Sequence, residues 1–172
     1  MIHQEQWQQL VAMIARHTPE DGRHFSPIDF LSFGRSSRPT SLSHIATWAS
    51  FALVAQGQKA LRMGEDVMHY GPGDLLLVTL DMPVQSCVVQ ATEEKPNLGV
   101  GITINETRLM HYLEHFPLQQ IGAAVTNERG ITVHKVAPPL VDAVIRLIEL
   151  LDQPQDIPAL APLIEQEIFY RL

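Results

Sequence analysis

Basic charge is scarce in this chain. Its 172 residues carry 12 lysines and arginines against 19 aspartates and glutamates, a formal net charge of −7. Domains that grip nucleic acid are usually basic because they must neutralise phosphates, so these residues alone are a poor match for DNA. Cysteine is scarcer still. The single thiol, Cys87, cannot close an internal disulfide, and a reducing, cytoplasmic setting is the default. No apolar run approaches the length of a membrane span; Leu75 to Leu80 is strand-sized. The opening MIHQEQWQQLVAMIARH is too rich in glutamine, and its apolar run too short, for a secretory leader. Ser-His-Asp arrangements, glycine-rich phosphate loops and carboxylate pairs in helical register do not stand out. Nucleophilic catalysis and nucleotide binding are therefore without support.

What is present is an ordinary globular composition. Hydrophobic residues make up 45% and charged residues 18%, enough to bury one core, with room for a helical appendage. Trp7, Leu10, Val11 and Ile14 recur at i, i+3, i+4 and i+7, an amphipathic helix that Thr18-Pro19 ends. A polar turn around Gly22 and Ser26-Pro27 leads to a short strand from Ile28 to Gly34, and Ser36 to Ser43 reads as a loop. From Trp48 the strands crowd together: Trp48–Gln56, Lys59–Met63, Asp66–Tyr70, Leu75–Leu80, Val84–Ala91 and Leu98–Ile104. Gly57-Gln58 suits a tight hairpin with glycine at positive φ. Gly64-Glu65 turns again, and Gly71-Pro72-Gly73-Asp74 is a further turn. Such strands in an antiparallel meander imply a sandwich or a barrel.

The rest is mainly helical. Asn105 is placed to cap a helix from Glu106 to Phe116 that Pro117 stops, and Gly130 to Val136 is one more strand. Pro138-Pro139 opens a helix carrying Leu140, Val144, Leu147, Ile148 and Leu151. After a polar link from Asp152 to Pro158, a last helix carries Leu160, Leu163, Ile164, Ile168 and Phe169. Apolar residues run up to Leu172 without a polar cap, which reads as a chain cut from a longer one. A terminus docked on its own domain is the other reading. The division expected is a helix plus β domain over residues 1–136 and a helical segment over 137–172.

The block GEDVMHYGPGDLLLVTLDMPV, Gly64 to Val84, resembles the cupin pattern of strand, Pro-Gly-Asp turn and apolar strand. Gln56-Gly57-Gln58-Lys59 precedes it, Asp81-Met82-Pro83 follows, and Glu167-Ile168-Phe169-Tyr170-Arg171-Leu172 closes the chain. In that order these features resemble the N-terminal domain of AraC-type bacterial transcription regulators, from about Ile28 onward. The resemblance implies an α+β, mainly β fold: a cupin-like antiparallel β-barrel with an N-terminal helix and C-terminal flanking helices. It also implies a small-molecule effector in the barrel, a homodimer paired through helices, and DNA contact only through a basic helix-turn-helix domain not present in this chain.

Candidate site residues follow from this frame. Trp48, Phe51, Leu53 and Val89 are placed to line the barrel, where pocket and plain core read alike; Met82 is placed with them. Arg35 and Arg38 offer planar forks to an anionic group, or are ordinary surface arginines. His69 beside Tyr70 could hydrogen-bond an effector or face water. Cys87 could meet an electrophile from the barrel wall, though no cation near it is legible and an inert buried thiol is the plainer reading. For pairing, Leu140, Val144, Leu147 and Leu151 of one helix and Leu163 and Ile168 of the other form apolar stripes, which could equally pack on their own barrel.

Cupin enzymes hold a metal with a His-x-His pair and a later histidine. Here His44 has no partner two residues away, and Met82-Pro83 stands where the later histidine belongs. His111 and His115 share a helix face, but no second ligand pair accompanies them. The expectation is therefore a regulator domain without metal, cofactor or catalytic residues. A metal-dependent cupin enzyme (an isomerase or oxygenase) and a purely oligomerising module with a filled barrel are the rival readings.

Overall fold

The structure is a computed structural model that describes residues 4–115 and 130–172. In chain order its elements are α1 (Gln4–Arg16), β1 (Gly22–Phe25), β2 (Leu31–Ser36), β3 (Ser43–Ala46), β4 (Ser50–Gln56), β5 (Gln58–Met63) and β6 (Asp66–Tyr70). Then come β7 (Asp74–Val78), β8 (Pro83–Gln90), β9 (Asn97–Thr103), α2 (Glu106–His115), β10 (Ile131–Lys135), α3 (Pro138–Glu149) and α4 (Ile157–Arg171). Two short 3₁₀ turns, Leu150–Asp152 and Pro154–Asp156, fill the polar link between the last two helices. The expected stop at Phe116-Pro117 lies outside the described residues.

The fold is α+β and mainly antiparallel β, with one refinement. The ladders make two sheets, β1-β2-β9-β4-β7-β10 and β3-β8-β5-β6, rather than one closed cylinder. Nor is the order a meander. β5 and β6 do form a hairpin around Gly64-Glu65, with Met63 opposite Asp66. The tight hairpin expected at Gly57-Gln58 is instead a crossing, where the chain leaves the larger sheet for the smaller. Glycine is still required there. Its φ is +81°, and an added Cβ would sit 2.5 Å from the Gln90 carbonyl oxygen. Asn97 Nδ2 donates to the Gln56 carbonyl at 3.0 Å, and Gln56 Nε2 donates to that of Pro96 at 2.8 Å, which pins the crossing.

The alternation of strand side chains splits the interior in two. On the outer face of the six-stranded sheet, Leu31, Phe33, Phe51, Leu53, Val100 and Ile102 pack against Leu10 and Ile14 of α1 and against α3 and α4. On the inner face, Val54, Leu76, Val78 and Ile131 meet Leu61, Tyr70 and Val84 of the smaller sheet. The larger sheet is thus covered by helices on one side and by a sheet on the other.

α3 lies deep in the first of these layers and is apolar nearly all round, as a buried helix must be. Leu140, Val144 and Leu147 on it, and Ile168 on α4, are each at most 1% exposed. The stripes read from sequence as a pairing surface are therefore turned inward: burying each of these side chains stabilises the fold by roughly 1.5–3 kcal/mol. Leu151 is half-buried, and Leu163, at 59% exposure, is the outward member of that set. Asn105 caps α2 as expected, its Oδ1 accepting from Arg108 N at 3.0 Å.

Candidate ligand cavity

Three neighbouring strands of the larger sheet carry small residues on the face opposite their apolar one. In β9, Leu98, Val100 and Ile102 join the helical core, which turns Gly99 and Gly101 toward the other sheet. Their ladder neighbours match them in size: Gly34 lies opposite Gly99, while Ser32 and Ala52 flank Gly101. A Cβ added at Gly34 would meet nothing within 4 Å. The two sheets therefore do not close on each other here. They leave a cavity of about 380 Å³, within the range of small-molecule sites.

The opposite wall comes from the four-stranded sheet. Lys59 on β5 lies beside Tyr70 of β6 on one side and Val88 of β8 on the other, so the three form one row. Burial pushes the Tyr70 phenol up to about 12, with a hydrogen bond to Ser86 pulling the other way. Burial likewise pushes the Lys59 ammonium below the usual lysine range; the Arg23 charge adds to that and Cys87 opposes it.

At the rim, Arg23 donates to Ser32 Oγ at 3.3 Å, and its guanidinium lies 4.9 Å from the ring centres of both Phe25 and Trp48. Trp48 in turn donates its indole N–H to Thr103 Oγ1 at 3.2 Å. Arg23, Arg35 and Lys59 line the cavity; among the described residues no carboxylate, histidine or cysteine does.

The sequence-derived candidates divide cleanly. Arg35, Trp48, Phe51 and Leu53 are in the lining. Phe51 and Leu53, however, send their side chains to the helical core. Arg35 also points away, donating to the Thr18 carbonyl at 3.2 Å and facing Asp21 at 3.6 Å. His69, Met82, Cys87 and Val89 lie outside the lining. His69 and Val89 are exposed and Cys87 is half-buried, each one residue out of register with Tyr70 or Val88, which do face the cavity. Met82 packs on the smaller core.

Sequence reading missed Arg23, Lys59, Tyr70, Val88 and the glycine floor. The alternation Leu98-Gly99-Val100-Gly101-Ile102 was the signal for the floor. On α2, none of whose residues line the cavity, His111, Glu114 and His115 bring their ligand atoms within 4.8 Å of one another, all exposed.

Residues 27–172 match a family model described as the N-terminus of AraC-type transcriptional regulators. Among solved structures, apo ToxT K231A from Vibrio cholerae strain SCE256 is similar in fold. Its TM-score is 0.53 at 10% identity, and the likeness covers 80% of this chain and 54% of that one. Unsaturated fatty acid bound wild-type ToxT from the same strain matches at 0.47 and 8% identity, with coverage of 80% and 53%. The AraC-like transcriptional activator CuxR matches at 0.45 and 15%, with coverage of 98% and 64%. The chain spans about half the length of the ToxT chains it matches. No protein of curated function matches it in sequence.

Proposed function

The chain belongs to the family of AraC-type transcriptional regulators through their N-terminal domain, and on that footing we propose that it senses a small-molecule effector. The observation that carries this reading is the cavity of about 380 Å³ between the two sheets. Small residues from three strands open it, and among the described residues its only charged side chains are cations. A guest there touches the larger sheet from within, while α1, α3 and α4 pack on the outside of the same strands. A guest that favours one arrangement of sheet and helices shifts the population toward it, which is all that signalling requires. In this proposal the domain is cytoplasmic and is not an enzyme; no helix among the described residues is long and apolar enough to cross a membrane. DNA binding would belong to a helix-turn-helix module outside these 172 residues, consistent with the net charge of −7.

Pairing with a second copy belongs to the same proposal, through the outward residues of α4. Leu160, Leu163 and Tyr170 are 42%, 59% and 66% exposed. Sedimentation at about tens of micromolar should find a dimer; a strict monomer would remove pairing from the account.

The sensing proposal is tested by thermal unfolding of the chain against a library of small organic molecules. A guest that binds the folded state alone raises the midpoint with concentration. A library in which no molecule does so would count against sensing.

A further inference from the structure

We infer that the guest is an organic acid, its anionic group held by Lys59 and Arg23 and its apolar body lying along the small-residue floor. This rests on the sensing proposal and adds the chemical class of the effector.

The chain as a whole is acidic by seven charges, yet three cations and no carboxylate line this cavity among the described residues. Arg35 is already answered by Asp21. That aspartate is well supplied with donors, since Ser37 gives it both its backbone N–H at 2.9 Å and its hydroxyl at 2.7 Å. Arg23 and Lys59 have no such counterpart among the described residues. The contacts of Arg23 are a serine hydroxyl and two aromatic faces, none of which carries a charge. Lys59 is flanked by Tyr70 and Val88, and no hydrogen bond or ion pair to its ammonium is formed among the described residues.

Burial leaves the Lys59 charge poorly solvated and, among the described residues, without a counter-charge, which is costly; Arg23, on the exposed edge strand at the rim, adds a like charge beside it. Burial is the main cause of the depressed Lys59 ammonium; Cys87 opposes it, and Arg23 adds a smaller push in the same direction as burial. A carboxylate removes the repulsion and accepts charge-assisted hydrogen bonds from both groups, with the Arg23 fork able to take two oxygens at once. A neutral guest leaves both cations unanswered. Ala52, Val54, Val88 and the glycines offer apolar surface to the body, while Ser32, Ser50, Tyr70, Asn97 and Thr103 add neutral polar groups to the lining. The volume equals that of about a dozen waters, which suits a compact organic acid.

The test pairs charge with shape. Binding of a panel of carboxylic acids, each beside its own primary amide, is measured by calorimetry on the 172-residue chain and its Lys59→Met and Arg23→Gln variants. Lys95→Met, a substitution at an exposed lysine, serves as the control, and circular dichroism confirms that each variant is folded. Lys59→Gln replaces Lys59→Met if the latter does not fold. The expected result is at least one acid that binds about tenfold or more tightly than its amide. That preference should vanish in the Lys59 and Arg23 variants while the amide affinity stays put, and it should survive in the control. Amides that bind as well as acids, or a preference that persists without these two cations, would overturn the anion assignment and leave sensing intact. Binding by neither class would overturn both.

Discussion

Gly34 lies directly opposite Gly99 in the β2–β9 ladder, so two adjacent strands offer bare backbone at the same level of the cavity. Neither position has a positive φ, and Gly34 has open space where a side chain would go. A glycine in a strand interior weakens it, so its presence here is explained by room rather than by conformation. Gly34→Leu should therefore fold normally, with stability changed by no more than about 1 kcal/mol. The same substitution should lower effector affinity more than about tenfold, a loss of about 1.4 kcal/mol. Chemical denaturation and calorimetry measure the two effects separately.

Gly57 makes the opposite case. Its φ of +81° and the 2.5 Å approach of a hypothetical Cβ to the Gln90 carbonyl oxygen leave no room for a side chain. Gly57→Ala should destabilise the chain by about 1–3 kcal/mol from backbone strain alone. A lower urea midpoint with unchanged slope is the expected observation.

How much of this could be read in the sequence depends on what each residue's neighbours had to supply. Strands with a buried face announced themselves: β9, buried at alternate positions, falls at Asn97–Thr103, one residue from the predicted Leu98–Ile104. β1 and β3 did not: GRHF and SHIA are almost wholly exposed and lie at the sheet edges, where no core imposes an alternation. The sheet order was illegible for another reason. A turn glycine such as Gly57 looks the same whether the chain doubles back or crosses over. In the site, His69 and Cys87 each missed the cavity by a single residue, because alternation specifies two faces without saying which is inside. Arg35 was legible as a cation, but its commitment to Asp21 depends on a contact 14 residues away that only the fold creates.

The buried stripe of α3 and the exposed leucine of α4 should behave differently. Leu147 is fully buried and Leu163 is 59% exposed. Leu147→Ala should cost about 2–5 kcal/mol of stability. Leu163→Ala should stay within about 0.5 kcal/mol yet weaken self-association in sedimentation.

Glu165 supplies a pH signature. It is 2% exposed, and Arg108 Nε lies 3.1 Å from its Oε1 and 3.0 Å from its Oε2. Arg108 also reaches Asp29 at 3.2 Å, so α2, α4 and the segment before β2 meet here. Burial pushes the Glu165 carboxyl above its ordinary value, an effect that Arg108 offsets only in part. Between the unfolded value and that raised one, the folded state binds more protons than the unfolded chain. Stability from this group is thus full below the unfolded value and falls as pH rises through the folded one. Glu165→Gln removes the titration. The stability margin of the native chain over the variant should shrink between about pH 4 and about pH 7.5. Paired urea midpoints at the two pH values check this; a margin that widens would contradict it.

The account depends above all on the guest residing between the two sheets, and Trp48 reports from that place. The chain has two tryptophans, and Trp7 is set apart on α1, donating to the Ala55 carbonyl at 2.8 Å, so a Trp7→Phe background leaves Trp48 as the only emitter. Titrating that protein with an effector found by thermal screening should shift Trp48 emission saturably, with the midpoint seen by calorimetry, and Gly34→Leu should abolish the shift. An effector that binds with Trp48 emission unmoved, and binds Gly34→Leu equally well, would place the guest elsewhere and contradict the account.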